Sequence, residues 1–238
     1  MSTISEIQQA LGRLSAAELE SIADWLNWQV EEARYRTYHV REAQPEYLSE
    51  EEPLFMTWEE YLAFEEQSPL RHEYVNGTVY AMSGASLAHN QIAQELVVAF
   101  RAHLRGGPCK PFFLEAKLEI RAGRDKIMYY PDAMVSCRPE DRTDKVVRNP
   151  KLVVEILSKS TQSIDRREKA MTYQRVEAIE EYVLIAQNQP RVIVHRRAED
   201  WRPVLYSAVE AQVEFRSIGL AMPLAQIYEG TLTIDGAF

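Results

Sequence analysis

The stretch Lys151-Leu-Val-Val-Glu-Ile-Leu-Ser158 is apolar on both faces around a single carboxylate, Glu155. Continuous apolar character over a short run is the pattern of a central strand covered on both sides, not of a half-exposed one. Two strands are expected before it, Phe112 to Arg121 and Ile127 to Cys137, and two after it, Glu181 to Ala186 and Arg191 to His195. The last two are joined by a hairpin at Asn188–Pro190. Helical spacing appears on both flanks. Residues 86–105 place Ile92, Leu96, Ala99 and Phe100 on one side and stop at Gly106-Gly107-Pro108. Residues 165–176 place Asp165 and Glu168 in a first helical turn. Helices alternating with strands imply an α/β fold, helices flanking a mixed central β-sheet.

Upstream, Thr57 and Glu60 form a capping box that opens a short helix ending near Ser68–Pro69. Asn76–Gly77, between the β-rich arms of Arg71-His72-Glu73-Tyr74-Val75 and Thr78-Val79-Tyr80-Ala81, signals a two-residue hairpin. Residues 53–238 therefore read as one domain. Residues 1–52 read as a helical N-terminal extension and linker. Ile4, Ile7, Leu11 and Leu14 make one apolar stripe. A second, Leu19, Ile22, Ala23, Leu26 and Val30, follows the Ser15/Glu18 capping pair. Such stripes need a cover: the main domain, a second copy, or a partner protein.

The chain has 238 residues, 46% of them apolar and 26% charged, a globular composition with no sign of disorder. No apolar run approaches the roughly 20 residues that span a bilayer, and the N-terminus lacks the basic and apolar regions of a signal peptide, so a cytoplasmic protein without membrane contact is expected. Cys109 and Cys137 are too few for a disulfide scaffold and lack metal-ligand spacing. The net charge of −9 sits mostly in residues 1–52, which contribute −7. The remainder is nearly neutral, so charge neither favours nor excludes a nucleic-acid partner.

Three carboxylates stand out. Glu155 interrupts Leu152 to Leu157, and Asp132 follows Tyr129-Tyr130-Pro131 and precedes Ala133-Met134-Val135. Glu73 stands before the hairpin turn. A lone acid in a strand is usually an edge residue or an ion-pair partner. Two in adjacent inner strands are costly unless paired or bound to a cation. Pro131 removes a ladder donor and suggests a bend beside Asp132. With little His or Cys nearby, such a pair suits Mg²⁺ or Mn²⁺. Lys169, Tyr173 and Val176 fall on one helix face, which turns Lys169 toward the sheet unless it snorkels to solvent. His89, in the first turn after Ser86, has two readings: a hydrogen bond to the hairpin, or support of the acids or a phosphate. Arg71, Arg166 and Arg167 could meet phosphates or simply be solvated. A pair of glycosidase carboxylates would need an aromatic-lined sugar cleft, and only ordinary Trp and Tyr content speaks for one.

Glu73, then Pro131-Asp132, Glu155 and a following lysine resemble the PD-(D/E)XK nuclease superfamily. More closely, residues 55–230 resemble the Uma family of restriction-type endonucleases in RHEYVNGTVYAMSGASLAHNQI, YYPDAMVSC, PKLVVEILSKST, the spaced Asp165, Lys169 and Tyr173, EYVLI and LAQIYEG. The resemblance implies a restriction-endonuclease-like core and DNA hydrolysis by a metal-activated water. Asp132 and Glu155 would ligate Mg²⁺ or Mn²⁺, with Glu73 completing the shell directly or through water. Lys169 would orient the water or neutralise the phosphorane, and His89 and Tyr173 would stand behind them. One position departs: two residues beyond Glu155, where the superfamily has Lys, stands Leu157. Lys169 is the substitute and Lys159 the second candidate. If neither reaches the site, the chain is a weak or inactive nuclease-fold module that binds protein or nucleic acid through its N-terminal helices. Cutting both strands of DNA makes a homodimer the expectation.

Overall fold

The computed structural model describes residues 11–13, 19, 54–82, 84–113, 115–142, 145–157 and 169–231. The chain divides into two units, Met1–Pro45 and Glu46–Phe238, and the second is described here. The expected boundary at 52/53 and nearly all of the expected N-terminal helices lie outside the described residues.

The first helix, α1 (Trp58–Gln67), starts as its sequence requires. The Thr57 side chain accepts from the Glu60 amide and the Glu60 carboxylate accepts from the Thr57 amide. Strands β1 (Leu54–Phe55), β2 (His72–Val75) and β3 (Thr78–Ala81) follow one another around it. β2 and β3 turn at Asn76–Gly77, whose φ angles of 50° and 107° are the left-handed conformations a primed hairpin turn demands. Helix α2 (Leu87–His103) is capped by the Ser86 hydroxyl on the His89 amide.

Three expectations are corrected. The single strand expected over 112–121 is two, β4 (Lys110–Phe113) and β5 (Lys117–Ala122). The strand expected over 127–137 is also two, β6 (Asp125–Tyr129) and β7 (Ala133–Ser136). Instead of one mixed sheet there are two of six strands each. The first has the order β1-β3-β2-β6-β5-β8, with β8 at Val146–Val147. The second has the order β12-β11-β10-β9-β7-β4. Its members β9 (Leu152–Leu157), β10 (Glu181–Ala186) and β11 (Val192–Arg196) match expectation to within a residue, and β12 (Pro203–Tyr206) extends it. The chain changes sheet between β4 and β5 and again at Tyr130-Pro131-Asp132. Pro131 has no N–H for a ladder, so the strand pattern breaks there and the chain is free to bend. A small hairpin, β13 (Gln212–Phe215) with β14 (Leu220–Pro223), leads to the short helix α4 (Leu224–Ile227).

The main core lies between α2 and one face of the second sheet. Ile92, Leu96 and Phe100 pack with Ala133, Val135, Val154, Ile156, Val183 and Val194, and Tyr228 and Phe215 close one side. Strand alternation therefore turns Glu155, between Val154 and Ile156, to the opposite face. There it meets α3 (Ala170–Arg175), the described part of the helix expected over 165–176. At the end of the β4–β7 pair away from Asp132, a disulfide joins Cys109 to Cys137. Among the described residues no helix is long and apolar enough to cross a membrane.

Candidate active site

Glu155 and Glu73 reach one region from β9 and β2, and Asp132 from the bend before β7. The antiparallel β7–β9 ladder ends at Ala133 paired with Val154, which leaves Asp132, in the bend, next to Glu155 at the end of the ladder. The Ile156 amide donates to Asp132 Oδ2 at 2.6 Å, which fixes that carboxylate one residue along the strand from Glu155. His89 Nε2, from the first turn of α2, lies 2.9 Å from Asp132 Oδ1. Of the two readings of His89, this is the contact that supports the acids.

Glu155 and Glu73 are linked by Lys169. Its ammonium is 2.8 Å from Glu73 Oε1 and 3.3 Å from Glu155 Oε1, and it lies over the Tyr129 ring at 5.1 Å from the centroid. Lys169 is only 4% exposed, so it points inward and does not snorkel. It stands at the N-cap of α3, the position that directs its side chain at the sheet. One turn on, the Tyr173 hydroxyl donates to Glu155 Oε1 at 2.7 Å. Burial, and then the Glu155 carboxylate, push the Tyr173 pKa well above its usual 10, so this hydroxyl remains a donor at every ordinary pH. The Tyr130 amide donates to Glu73 Oε1 at 3.2 Å, tying β2 to the segment that carries Asp132.

The remaining candidates fall elsewhere. Leu157, where the superfamily pattern has Lys, is fully buried in the core. Lys159, Asp165, Arg166 and Arg167 lie outside the described residues. Arg71 pairs with Glu115 on the surface. The sequence reading did not find Glu65, whose buried carboxylate accepts from the Tyr130 hydroxyl and the His72 amide. It is indistinguishable in sequence from the exposed Glu59, Glu60 and Glu66 of the same helix, except by the helical position that turns it inward.

The group brings the carboxylates of Glu73, Asp132 and Glu155 together with the ammonium of Lys169 and the imidazole of His89. Among the described residues no three His, Cys, Asp or Glu side chains form a group placed to hold a metal ion. Mg²⁺ needs no such trio, because it keeps several waters and binds through one or two carboxylates. The all-oxygen donor set of Asp132 and Glu155 fits that ion.

Acids gathered where a strand leaves one sheet for another, with an inward lysine from the following helix, define a restriction-endonuclease-like α/β protein. Residues 58–225 match the Uma2 family, described as "Putative restriction endonuclease", and the chain belongs to that family. It is 34% identical over 175 residues to the uncharacterized protein slr1290 of Synechocystis, covering 72% of this chain and 90% of that one. A second Synechocystis protein, sll1609, is 29% identical over 165 residues, covering 67% and 92%. The crystal structure of "a putative nuclease belonging to DUF820" from Anabaena variabilis superposes with a TM-score of 0.61 over 73% of this chain and 97% of that one. At 17% identity that likeness concerns the fold. Family and fold together are those of nuclease-like proteins.

Proposed function

We propose that the protein is a metal-dependent endonuclease that hydrolyses DNA phosphodiester bonds by attack of a water. The observation that carries this reading is the inward Lys169 ammonium, held between Glu73 and Glu155 beside an Asp132 fixed by the Ile156 amide. Mg²⁺ or Mn²⁺, bound through Asp132 and Glu155 with Glu73 directly or through water, would supply Lewis acidity and lower the pKa of the attacking water. The chain's own groups do the rest. The Tyr173 hydroxyl and the Ile156 amide orient the two ligand carboxylates, as outer partners of metal ligands do. His89 holds the second oxygen of Asp132. Lys169 places a positive charge where the phosphate becomes more negative as the water attacks, an interaction that strengthens in the transition state. Two such sites, one per protomer of a homodimer, would cut both strands.

The buried Leu157 favours a second reading, a nuclease-fold module of little activity that binds protein or nucleic acid through its N-terminal helices. Plasmid cleavage in Mg²⁺ or Mn²⁺ separates the two. Wild type is expected to nick and linearise the plasmid. Asp132→Ala, Glu155→Ala and Lys169→Ala are expected to lose at least about 100-fold, the scale of removing a group that acts in the transition state. Cleavage that persists in both acid variants removes this mechanism. A wild type that cuts nothing, yet retains DNA or a protein partner, establishes the second reading.

A further inference from the structure

We propose that Glu65, on α1 and outside the acid cluster, is a positioning residue that sets Glu73 against Asp132; the inference rests on the nuclease reading of that cluster. Glu65 is a buried carboxylate on a helix whose other acids face solvent, and a carboxylate is buried only where donors replace its water. Three donors surround it. Its Oε1 accepts from the His72 amide at 3.1 Å and from the Tyr130 hydroxyl at 2.5 Å, and its Oε2 lies 3.0 Å from His72 Nδ1.

Both partners adjoin a site acid. His72 immediately precedes Glu73 on β2, and Tyr130 precedes Pro131-Asp132 at the change of sheet. The Tyr130 amide then donates to Glu73 Oε1, which closes a ring: Glu65 to His72, along the chain to Glu73, across to Tyr130, and back to Glu65. The Tyr61 hydroxyl, bonded to the His72 carbonyl at 2.7 Å, holds the ring from the side of α1. Burial and the hydrogen bond to Glu65 push the Tyr130 pKa upward, so it stays a donor throughout the working range. β2 pairs with β6 through Tyr74 and Val75, and the ladder stops short of the Tyr130–Asp132 bend. Glu65 adds a second tie across that gap, beside the bond from the Tyr130 amide to Glu73.

The test uses the full chain, with Tyr130→Phe, Glu65→Gln and Glu65→Leu. Each is measured for kcat and KM on duplex DNA in Mn²⁺, for Mn²⁺ affinity by calorimetry, and for Tm. Tyr130→Phe removes one hydroxyl and keeps the ring. It is expected to lower kcat and Mn²⁺ affinity by about tenfold, with KM for DNA within about twofold, the scale seen for outer partners of metal ligands. Glu65→Leu is expected to lose about 10- to 100-fold, and Glu65→Gln, which keeps an acceptor oxygen, to recover most of that loss. Should Glu65→Leu fail to fold, Tyr130→Phe decides. Variants that lower Tm but leave kcat and Mn²⁺ affinity at the wild-type level overturn the proposal while sparing the nuclease reading. A wild type that neither cuts DNA nor binds Mn²⁺ sinks both.

Discussion

Two glutamates sit on neighbouring strands of the second sheet, each almost wholly buried, and they are held in opposite ways. Glu181, at the start of β10, accepts from the Arg196 guanidinium at 2.8 Å and from the amides of Arg216 and Ser217 at 2.9 and 2.7 Å. Arg196 in turn reaches the Tyr206 hydroxyl, the Glu214 carbonyl and Glu199. Burial opposes its charge, but the hydrogen bonds to Tyr206 and Glu181 hold its pKa above the ordinary value. That network of a guanidinium and backbone amides ties β10, β11 and the β13–β14 hairpin together. Glu155, one strand away, shares the Lys169 ammonium with Glu73, accepts from the Tyr173 hydroxyl and has Asp132 beside it on the Ile156 amide. A buried carboxylate alone therefore marks nothing. What separates the candidate site from the structural clamp is the company: Glu155 stands beside two further acids from other parts of the chain, whereas Glu181 is enclosed by a guanidinium and two backbone amides.

Removing the charge should act in opposite directions at the two places. Glu181→Gln removes the buried carboxylate from the Arg196 guanidinium, leaving it only the more exposed Glu199, and is expected to lower stability by about 3 kcal/mol in urea titrations. Glu155→Gln keeps an acceptor for Tyr173 and relieves repulsion, so its stability should equal or exceed wild type while cleavage is lost. Equal destabilisation by the two would erase the distinction. Mn²⁺ sharpens it next. At a hundred times its dissociation constant, a bound ion adds about 2.7 kcal/mol, read as a rise in Tm. That rise should appear in wild type and Glu181→Gln and vanish in Asp132→Asn. The smallest effect is alkaline. The Tyr173 pKa is raised in the folded chain above the 10 it has when exposed. Below pH 10 both states keep the proton, and above it only the folded state does, so stability falls as pH rises further. Tyr61, Tyr130 and Tyr228 are raised in the same direction, so Tyr173→Phe should lessen that fall, not abolish it, in melts between about pH 9 and 11.

Much of this was legible in the sequence, unevenly. Leu152 to Leu157, α2, the capping box at Thr57 and the turn at Asn76–Gly77 were readable because local pattern and final structure agree. The changes of sheet were not, because periodicity records a strand without saying which sheet it joins. Strands β12 to β14 are short and mostly half-buried, so their alternation is faint. At the candidate site, Asp132 and Glu155 stood out as charges in apolar strands, Lys169 by the helix face it shares with Tyr173 and Val176, and Glu73 by its place before the hairpin. The contact of His89 with Asp132 was one of two readings, and the local sequence does not choose between them. Glu65 and the clamp at Glu181 escaped because their partners lie on distant strands and loops.

The bridge between Cys109 and Cys137 bears on every one of these measurements. It fastens the sheet's outermost strand to its neighbour and closes a loop across a separation of 28 residues. By the chain-entropy account such a closure stiffens the denatured ensemble by about 3–4 kcal/mol. A preparation handled with thiol reductant is thus a different thermodynamic reference from one handled in air. Variants belong on one scale only when their sulfur oxidation state has been matched.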